Sequence, residues 1–303
     1  MLFRSAAVRD VGALQAPHRR HAQHHPAHDR CLDRALLRLP HLVVFSDQPR
    51  VAHAHDPRRH RARLRAPADG QFLFFASCAD INIEYGPGKE KGFGSCDIFY
   101  TDKASGKWIK PVNIGRPVNS NHWETQPSFS SDGKTLYFVR GIQGRGQRTG
   151  DIYYSVLGDD GKFREPIKLG PNINTEQSEE SVFIHPDNMT LYFASNGRVG
   201  MGGMDLYMSK RQANGEWGPA VNLGYPINTC KDENSLLVDP SGRLAYFASN
   251  REGGFGNLDI YYFELPQEFQ PEKITFSKGF VYDSLSRKPL SAAVELIDLE
   301  PGK

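Results

Sequence analysis

Four aspartates, Asp97, Asp151, Asp205 and Asp259, stand 54 residues apart, and three glutamates, Glu124, Glu179 and Glu233, keep nearly the same interval. Carboxylates serve general acid–base catalysis and hard-metal binding, so a ruled series of seven is the first place to look for chemistry. Acid–base catalysis needs two carboxylates held in different environments at one place. A carboxylate that returns once per interval occupies equivalent places instead, which argues for a structural job. Each Asp in "GMGGMD" and "GGFGNLD" ends a Gly-rich turn. It is expected to accept hydrogen bonds from that turn's backbone N–H groups, each worth about 1 kcal/mol or somewhat more. The glutamates are expected to be structural as well, with a place on a central channel as the alternative. Trp108, Phe163 and Trp217 keep the same step; they could stack on sugars, but aromatics in register are expected to pack one repeat on the next. The Gly-rich turns do not open helices, so they are not phosphate loops. No catalytic, cofactor-binding or metal-ligating residue is assigned, and the chain is expected not to be an enzyme.

The elements that must position these residues follow from the period. Gly115, Gly170 and Gly224, then Asn119, Asn174 and Asn228, keep step with the carboxylates, as do the pairs Phe74-Phe75, Tyr137-Phe138, Tyr192-Phe193 and Tyr246-Phe247 after a longer first interval. Each unit reads as four short strands, typified by "ESVFIH", "TLYFV", "DIYYS" and "EPIKLG", joined by turns such as "SDGK" in which Asp, Asn and Gly supply turn conformations. Helical periodicity is absent. A four-stranded unit of 54 or 55 residues cannot bury both faces alone and must stack on its neighbours around an axis, which predicts an all-β propeller of four-stranded antiparallel blades. Four blades are visible, the first incomplete. Cys78 ends the second strand of that first blade and Cys96 begins the third, so their β-carbons come within disulfide range. A bond there could contribute about 3 kcal/mol by closing the intervening loop, and implies an oxidising compartment. The alternative is two reduced thiols. Cys230 has no evident partner.

Composition divides the chain. Among 303 residues, 29 Gly, 20 Pro and a net charge of +2 describe a loop-rich protein. Residues 1–65, however, contain no Lys, Asn, Ile, Thr, Tyr, Trp or Glu while holding nine of the eleven His and thirteen Arg. Such a tract could bind metal or nucleic acid. A stretch purged of seven residue types is better read as out-of-frame sequence or an unrelated disordered leader, and no nucleic-acid partner is expected. Arg4, Arg9 and Asp10 interrupt any signal-peptide core, and no apolar run reaches the ~18 residues of a transmembrane helix.

The segments "SFSSDGKTLYFVR", "FIHPDNMTLYFASN" and "VDPSGRLAYFASNREGGFGNLDIYYFEL" resemble the WD40-like repeats called PD40, of the TolB type. With "GKWIKPVNIGRPVNSNHWETQPSFSSDG" joining blades, the chain is more closely similar to the propeller region of Bacteroidetes envelope proteins of the OmpA family, including the PorE-type lipoproteins of type IX secretion. The resemblance implies a propeller over 66–265 with five or more blades in the parent fold, a linker over 266–278, and over 279–303 the start of a carboxypeptidase-regulatory-like β-sandwich in a fragment of a longer protein. It further implies a non-enzymatic, periplasmic, outer-membrane-associated scaffold for protein partners, with peptidoglycan gripped only through a missing C-terminal domain. The competing reading is a glycan-active five-bladed propeller enzyme, which needs unrepeated carboxylates converging on the axis. Those noted, Glu84, Glu90 and Asp232, fall in loops.

Overall fold

The computed structural model describes residues 9–10, 72–78, 92–104, 107–143 and 148–274. Its strands are β1 (Arg9–Asp10), β2 (Phe72–Ser77), β3 (Asp97–Ala104), β4 (Lys107–Trp108), β5 (Val112–Asn113), β6 (Trp123–Phe129), β7 (Thr135–Gln143), β8 (Arg148–Val156), β9 (Ile167–Lys168), β10 (Glu179–Ile184), β11 (Thr190–Ser195), β12 (Asp205–Lys210), β13 (Val221–Asn222), β14 (Glu233–Val238), β15 (Leu244–Ser249) and β16 (Asp259–Glu264). They form four sheets in sequence order, β2-β3 with β4 and β5, then β6-β7-β8-β9, β10-β11-β12-β13 and β14-β15-β16. All pairings within these four runs are antiparallel. The first strands β6, β10 and β14 pack on one another from blade to blade, whereas the short fourth strands form the rim. This is the propeller arrangement expected of the repeat.

Alternation within strands explains why stacking is obligatory. In β11, Tyr192 points to one face and Phe193 to the other, and every residue of the strand is buried. No two-sided core exists inside a blade, so the apolar surface collects in three layers between blades. Ile98, Val118, Leu136, Phe138 and Phe163 join the first and second blades. The next layer runs from Tyr137 and Ile152 to Phe193, Tyr207 and Trp217. The third joins Tyr192, Leu206 and Met208 to Phe247, Tyr261 and Phe263.

Three features differ from expectation. The fourth strand is two residues long rather than the six of "EPIKLG". Trp108 is exposed beneath the Lys103 ammonium, 4.7 Å from its ring centroid, instead of packing between blades, because among the described residues no blade stands on that side of it. Finally, Arg9 and Asp10, from the leader to which no structural role was given, pair in parallel with Tyr261 and Tyr262 at the outer edge of the fourth blade. The remainder of residues 1–65 and the sandwich start at 279–303 lie outside the described residues. Among those described, no helix is long and apolar enough to cross a membrane.

After β16 the chain makes a 3-10 turn (Gln267–Phe269) and crosses back to the third blade. There Tyr192 Oη donates to the Phe269 carbonyl at 2.7 Å and Asp187 accepts from Glu272 N–H at 3.0 Å. Phe269 thereby packs against the same layer as Phe183. Trp217 does the equivalent work one joint earlier, edge-on to Tyr137 with ring centroids 6.1 Å apart. Trp217→Ala is therefore expected to cost about 3–5 kcal/mol in denaturant unfolding, against less than about 0.5 kcal/mol for Val199→Ala on the open surface. Equal costs would contradict the inter-blade layer as the source of stability.

Candidate functional site

The repeated polar residues converge on the linker that carries the chain from the rim of one blade to the inner strand of the next. Asn119 begins the pattern: its Oδ1 accepts Ile98 N–H and its Nδ2 donates to the Ile98 carbonyl, both at 2.9 Å. Asn174 treats Ile152 in the same way, at 2.7 and 2.9 Å, and Asn228 treats Leu206 at 2.8 and 2.9 Å. A side-chain amide thus completes the pairing of the residue after each Asp, accepting its N–H and adding a second donor to a carbonyl that already accepts from Ile114, Leu169 or Leu223 N–H.

Five residues on from each Asn, the buried Glu closes the linker. Glu179 accepts from Thr175 N–H (2.9 Å), Thr175 Oγ1 (2.7 Å) and Ser195 Oγ (2.8 Å). Glu233 receives the same set from Thr229 and Ser249. In Glu124, Ser120 supplies the backbone and hydroxyl donors, and Arg140 Nε replaces the serine hydroxyl at 2.8 Å. All three carboxylates are fully buried and turned into their own linkers rather than toward a channel. Burial pushes the Glu179 carboxyl above its ordinary value, although the Thr175 and Ser195 bonds pull the other way.

The aspartates cap the preceding turns. Asp97 accepts from Phe93 and Gly94 N–H, Asp205 from Met201 and Gly202, and Asp259 from Phe255 and Gly256. For Asp151 part of the turn lies outside the described residues; its carboxylate pairs with Lys168 Nζ at 2.8 Å. Lys168 stands where the other blades carry Asn113 and Asn222, and Asn113 likewise donates to Asp97 at 2.9 Å. Desolvation raises the Asp205 pKa against its two backbone bonds. Cys78 and Cys96 are disulfide-bonded across the base of the first blade's long turn, and Cys230 is free and exposed. Among the described residues no three His, Cys, Asp or Glu side chains are grouped to hold a metal.

Two sets of residues escaped the sequence reading. Arg140, Arg198 and Arg251 each donate to linker carbonyls, for instance Arg198 Nη2 to Asn172 and Ile173 at 2.9 Å and Arg251 Nη2 to Ile227 at 2.7 Å. Their guanidinium planes lie over the aromatic ladder, Arg251 4.8 Å from the Phe247 centroid. They stand at unequal distances after the aromatic pair, so the ruler that found the carboxylates passes over them.

The second set lines the inner strands. β6, β10 and β14 each carry a bulge where the register shifts. Gln126, Ser181 and Ser235 occupy it with φ of 52°, 55° and 57°, left-handed values that non-glycine residues rarely adopt and that concentrate at functional positions. The bulges turn polar groups across the blade boundaries. Ser181 N–H donates to Gln126 Oε1, Ser181 Oγ bonds Asn234 Oδ1, and Asn234 Nδ2 donates to Glu180 Oε2 at 3.2 Å. Glu180 is an inner-strand carboxylate with no repeat, standing where the neighbouring blades have Thr125 and Asn234. Polar residues in the middle of otherwise apolar strands were the available signal. Of the loop acids, Asp232 is engaged by Met204 N–H and Asn250 Nδ2, at 3.0 and 3.1 Å; Glu84 and Glu90 lie outside the described residues.

No family model matches this chain, and none of the curated proteins matches it. Solved structures similar to it include TolB from Acinetobacter baumannii, 14% identical with a TM-score of 0.40, covering 68% of this chain and 42% of that one. The periplasmic gluconolactonase of Pseudomonas aeruginosa is 13% identical, with a TM-score of 0.37 and coverage of 59% and 47%. An endo-arabinase from Bacteroides thetaiotaomicron is 16% identical, with a TM-score of 0.39 and coverage of 69% and 72%. The chain thus spans less than half the length of the first two. The expectation that the chain is not an enzyme is corrected by this set: two of these three similar structures are enzymes by name, and carboxylates locked in repeats exclude nothing about unrepeated ones such as Glu180.

Asp205→Ala would leave the N–H groups of Met201 and Gly202 without their acceptor and is expected to lower stability by about 2–3 kcal/mol; an unchanged unfolding curve would remove its structural role. Glu179 supplies a pH signature. Its folded pKa is raised, so the native state holds the proton more tightly, and stability falls as pH rises from the ordinary value through the raised one. Glu179→Gln, which can still accept from Thr175 N–H, is expected to flatten that slope in urea midpoints measured over about pH 4–8. A slope identical to wild type would assign the titration elsewhere.

Proposed function

We propose that this propeller is a protein-interaction scaffold of the bacterial cell envelope, facing the periplasm, and that the polar inner-strand surface of the half-buried Gln126 and Glu180, with the buried Asn234 bonded to Glu180 behind it, is where partners are engaged. The observation that carries the reading is the division of labour among polar groups. The repeated Asp, Glu and Asn side chains are spent on turns and linkers, while the unrepeated ones gather at the inner strands on a backbone held in costly left-handed conformations. Rigid stacked blades presenting variable groups suit recognition. The Cys78–Cys96 bond supports an oxidising compartment. The sequence resemblance to OmpA-family envelope proteins supports the same placement, with type IX secretion as a setting and peptidoglycan anchoring supplied by a further domain.

A second reading, a glycan-active enzyme, is favoured by Glu180 alone. Glycoside hydrolysis uses a pair of carboxyl groups across the scissile bond, and among the described inner-strand residues Glu180 is the single unrepeated carboxylate. One experiment separates the two. The full chain is immobilised and challenged with detergent-solubilised envelope proteins and, in parallel, with polysaccharides including arabinan. The scaffold reading expects saturable retention of a defined partner, lost in a Gln126→Ala/Asn234→Ala variant that still folds. Release of reducing sugar that disappears in Glu180→Gln would replace it.

Placement is tested separately. Directed to an oxidising periplasm, the chain is expected to yield the Cys78–Cys96 linked peptide on mapping without reduction, while Cys230 alkylates; the linked form should exceed the reduced one in stability by about 3 kcal/mol. Free alkylation of Cys78 and Cys96 in exported protein would overturn the compartment argument.

A further inference from the structure

The repeated Asp of a blade takes donors from two directions, the turn before it and the short fourth strand of its own sheet. In the first blade the fourth strand supplies Asn113, whose Nδ2 donates to Asp97 at 2.9 Å. In the second it supplies an ammonium, Lys168 Nζ, 2.8 Å from Asp151 Oδ1. The third blade breaks the series. Asn222 stands opposite Tyr207 as Asn113 stands opposite Phe99, and its Oδ1 accepts from Gly224 N–H and Asn228 Nδ2 as Asn113 Oδ1 does from Gly115 and Asn119. Its side chain bonds the Tyr207 hydroxyl, a group that Phe99 lacks, and does not reach Asp205. Asp205 Oδ2 keeps its two turn bonds, from Met201 and Gly202 N–H, whereas Oδ1 has no hydrogen-bond partner although the residue is only 2% exposed.

A carboxylate oxygen sealed from water without a donor is costly. Desolvation already raises the Asp205 pKa, and the nearby Glu233 and Asp232 carboxylates add to it, so the local field is negative. More oxygens line the same turn. Asp232 Oδ1 accepts from Met204 N–H at 3.0 Å, and the Thr229 and Lys231 carbonyls lie against Gly202, where a Cβ would stand 2.7 and 1.8 Å from them. Such surroundings call for positive charge, and the second blade answers the same call with Lys168.

We propose that Asp205 Oδ1 is a ligand of a monovalent cation of ammonium size, potassium or ammonium itself, held at the place that Lys168 Nζ fills in the second blade. A hard divalent ion does not fit, since among the described residues no three acidic, His or Cys side chains are grouped to hold one. The ion neutralises the buried carboxylate and stiffens the turn that presents Val199 and Met201, 98% and 48% exposed. This inference does not depend on what the inner strands bind.

The test uses the full chain, as wild type and as Asn222→Lys, which places an ammonium in the register that Lys168 holds in its own sheet. Crystals of both are soaked in thallium(I), which takes potassium sites and scatters anomalously, and melting curves are recorded in potassium chloride and in tetramethylammonium chloride at equal ionic strength. Wild type is expected to show an anomalous peak in contact with Asp205 Oδ1. Its melting temperature should climb with the logarithm of potassium concentration, but not with tetramethylammonium, which is too large for an enclosed site. In Asn222→Lys both signals are expected to vanish, and its melting temperature in tetramethylammonium should exceed that of wild type. Water alone at Asp205, a peak that survives Asn222→Lys, or wild-type curves that do not distinguish the two salts would each overturn the proposal.

Discussion

The structure depends on one substitution of roles, a side-chain amide standing in for a β-strand. Wherever a blade hands the chain to its successor, the residue after the Asp keeps one backbone bond, its carbonyl accepting from Ile114, Leu169 or Leu223 N–H, and Asn119, Asn174 or Asn228 supplies the acceptor for its N–H and a second donor to its carbonyl. A buried N–H left without an acceptor costs about 1–3 kcal/mol, so the amide stabilises the passage of the linker through the interior. The Glu that follows fixes the linker's other end, and the Arg seals it from outside. Asp, Asn, Glu and Arg therefore act as one unit per blade, and the apolar layers are brought into register by it.

That unit explains which parts of the fold could be read from residues alone. The period of 54 exposed the blade, since Asp, Asn and Glu serve a local geometry that recurs identically and so recur themselves. The turn-capping role of Asp97, Asp205 and Asp259 was accessible because its donors lie three and four residues away. Glu124, Glu179 and Glu233 were legible as structural, but their partners were not. The Ser or Thr donor is four residues upstream, whereas Ser195, Ser249 and Arg140 arrive from the second strand, through pairing that only the folded sheet defines.

What stayed hidden is governed by neighbours in space. Trp108 has the same sequence setting as Trp217, and nothing in either stretch announces that one has a blade beside it and the other does not. The bulges at Gln126, Ser181 and Ser235 sit where inner strands bond across blade boundaries, a setting defined by the neighbouring blade and not by the strand. Glu180 was passed over for a simpler reason: it adjoins Glu179, and a repeated carboxylate draws attention away from an unrepeated one next to it. Yet the exception to a repeat is the position released from the scaffold's requirements.

The rim has a consequence of its own. Each fourth strand spans two residues, and Pro111 and Pro166 stand directly before Val112 and Ile167, with Pro219 two residues before Val221. Proline offers no N–H to a neighbouring ladder, and a two-residue strand is too short to template one. The rim of the first three blades is thereby protected against the edge-to-edge aggregation that threatens an exposed sheet. Contacts between blades are thereby left to the surfaces that lie across them rather than along these borders.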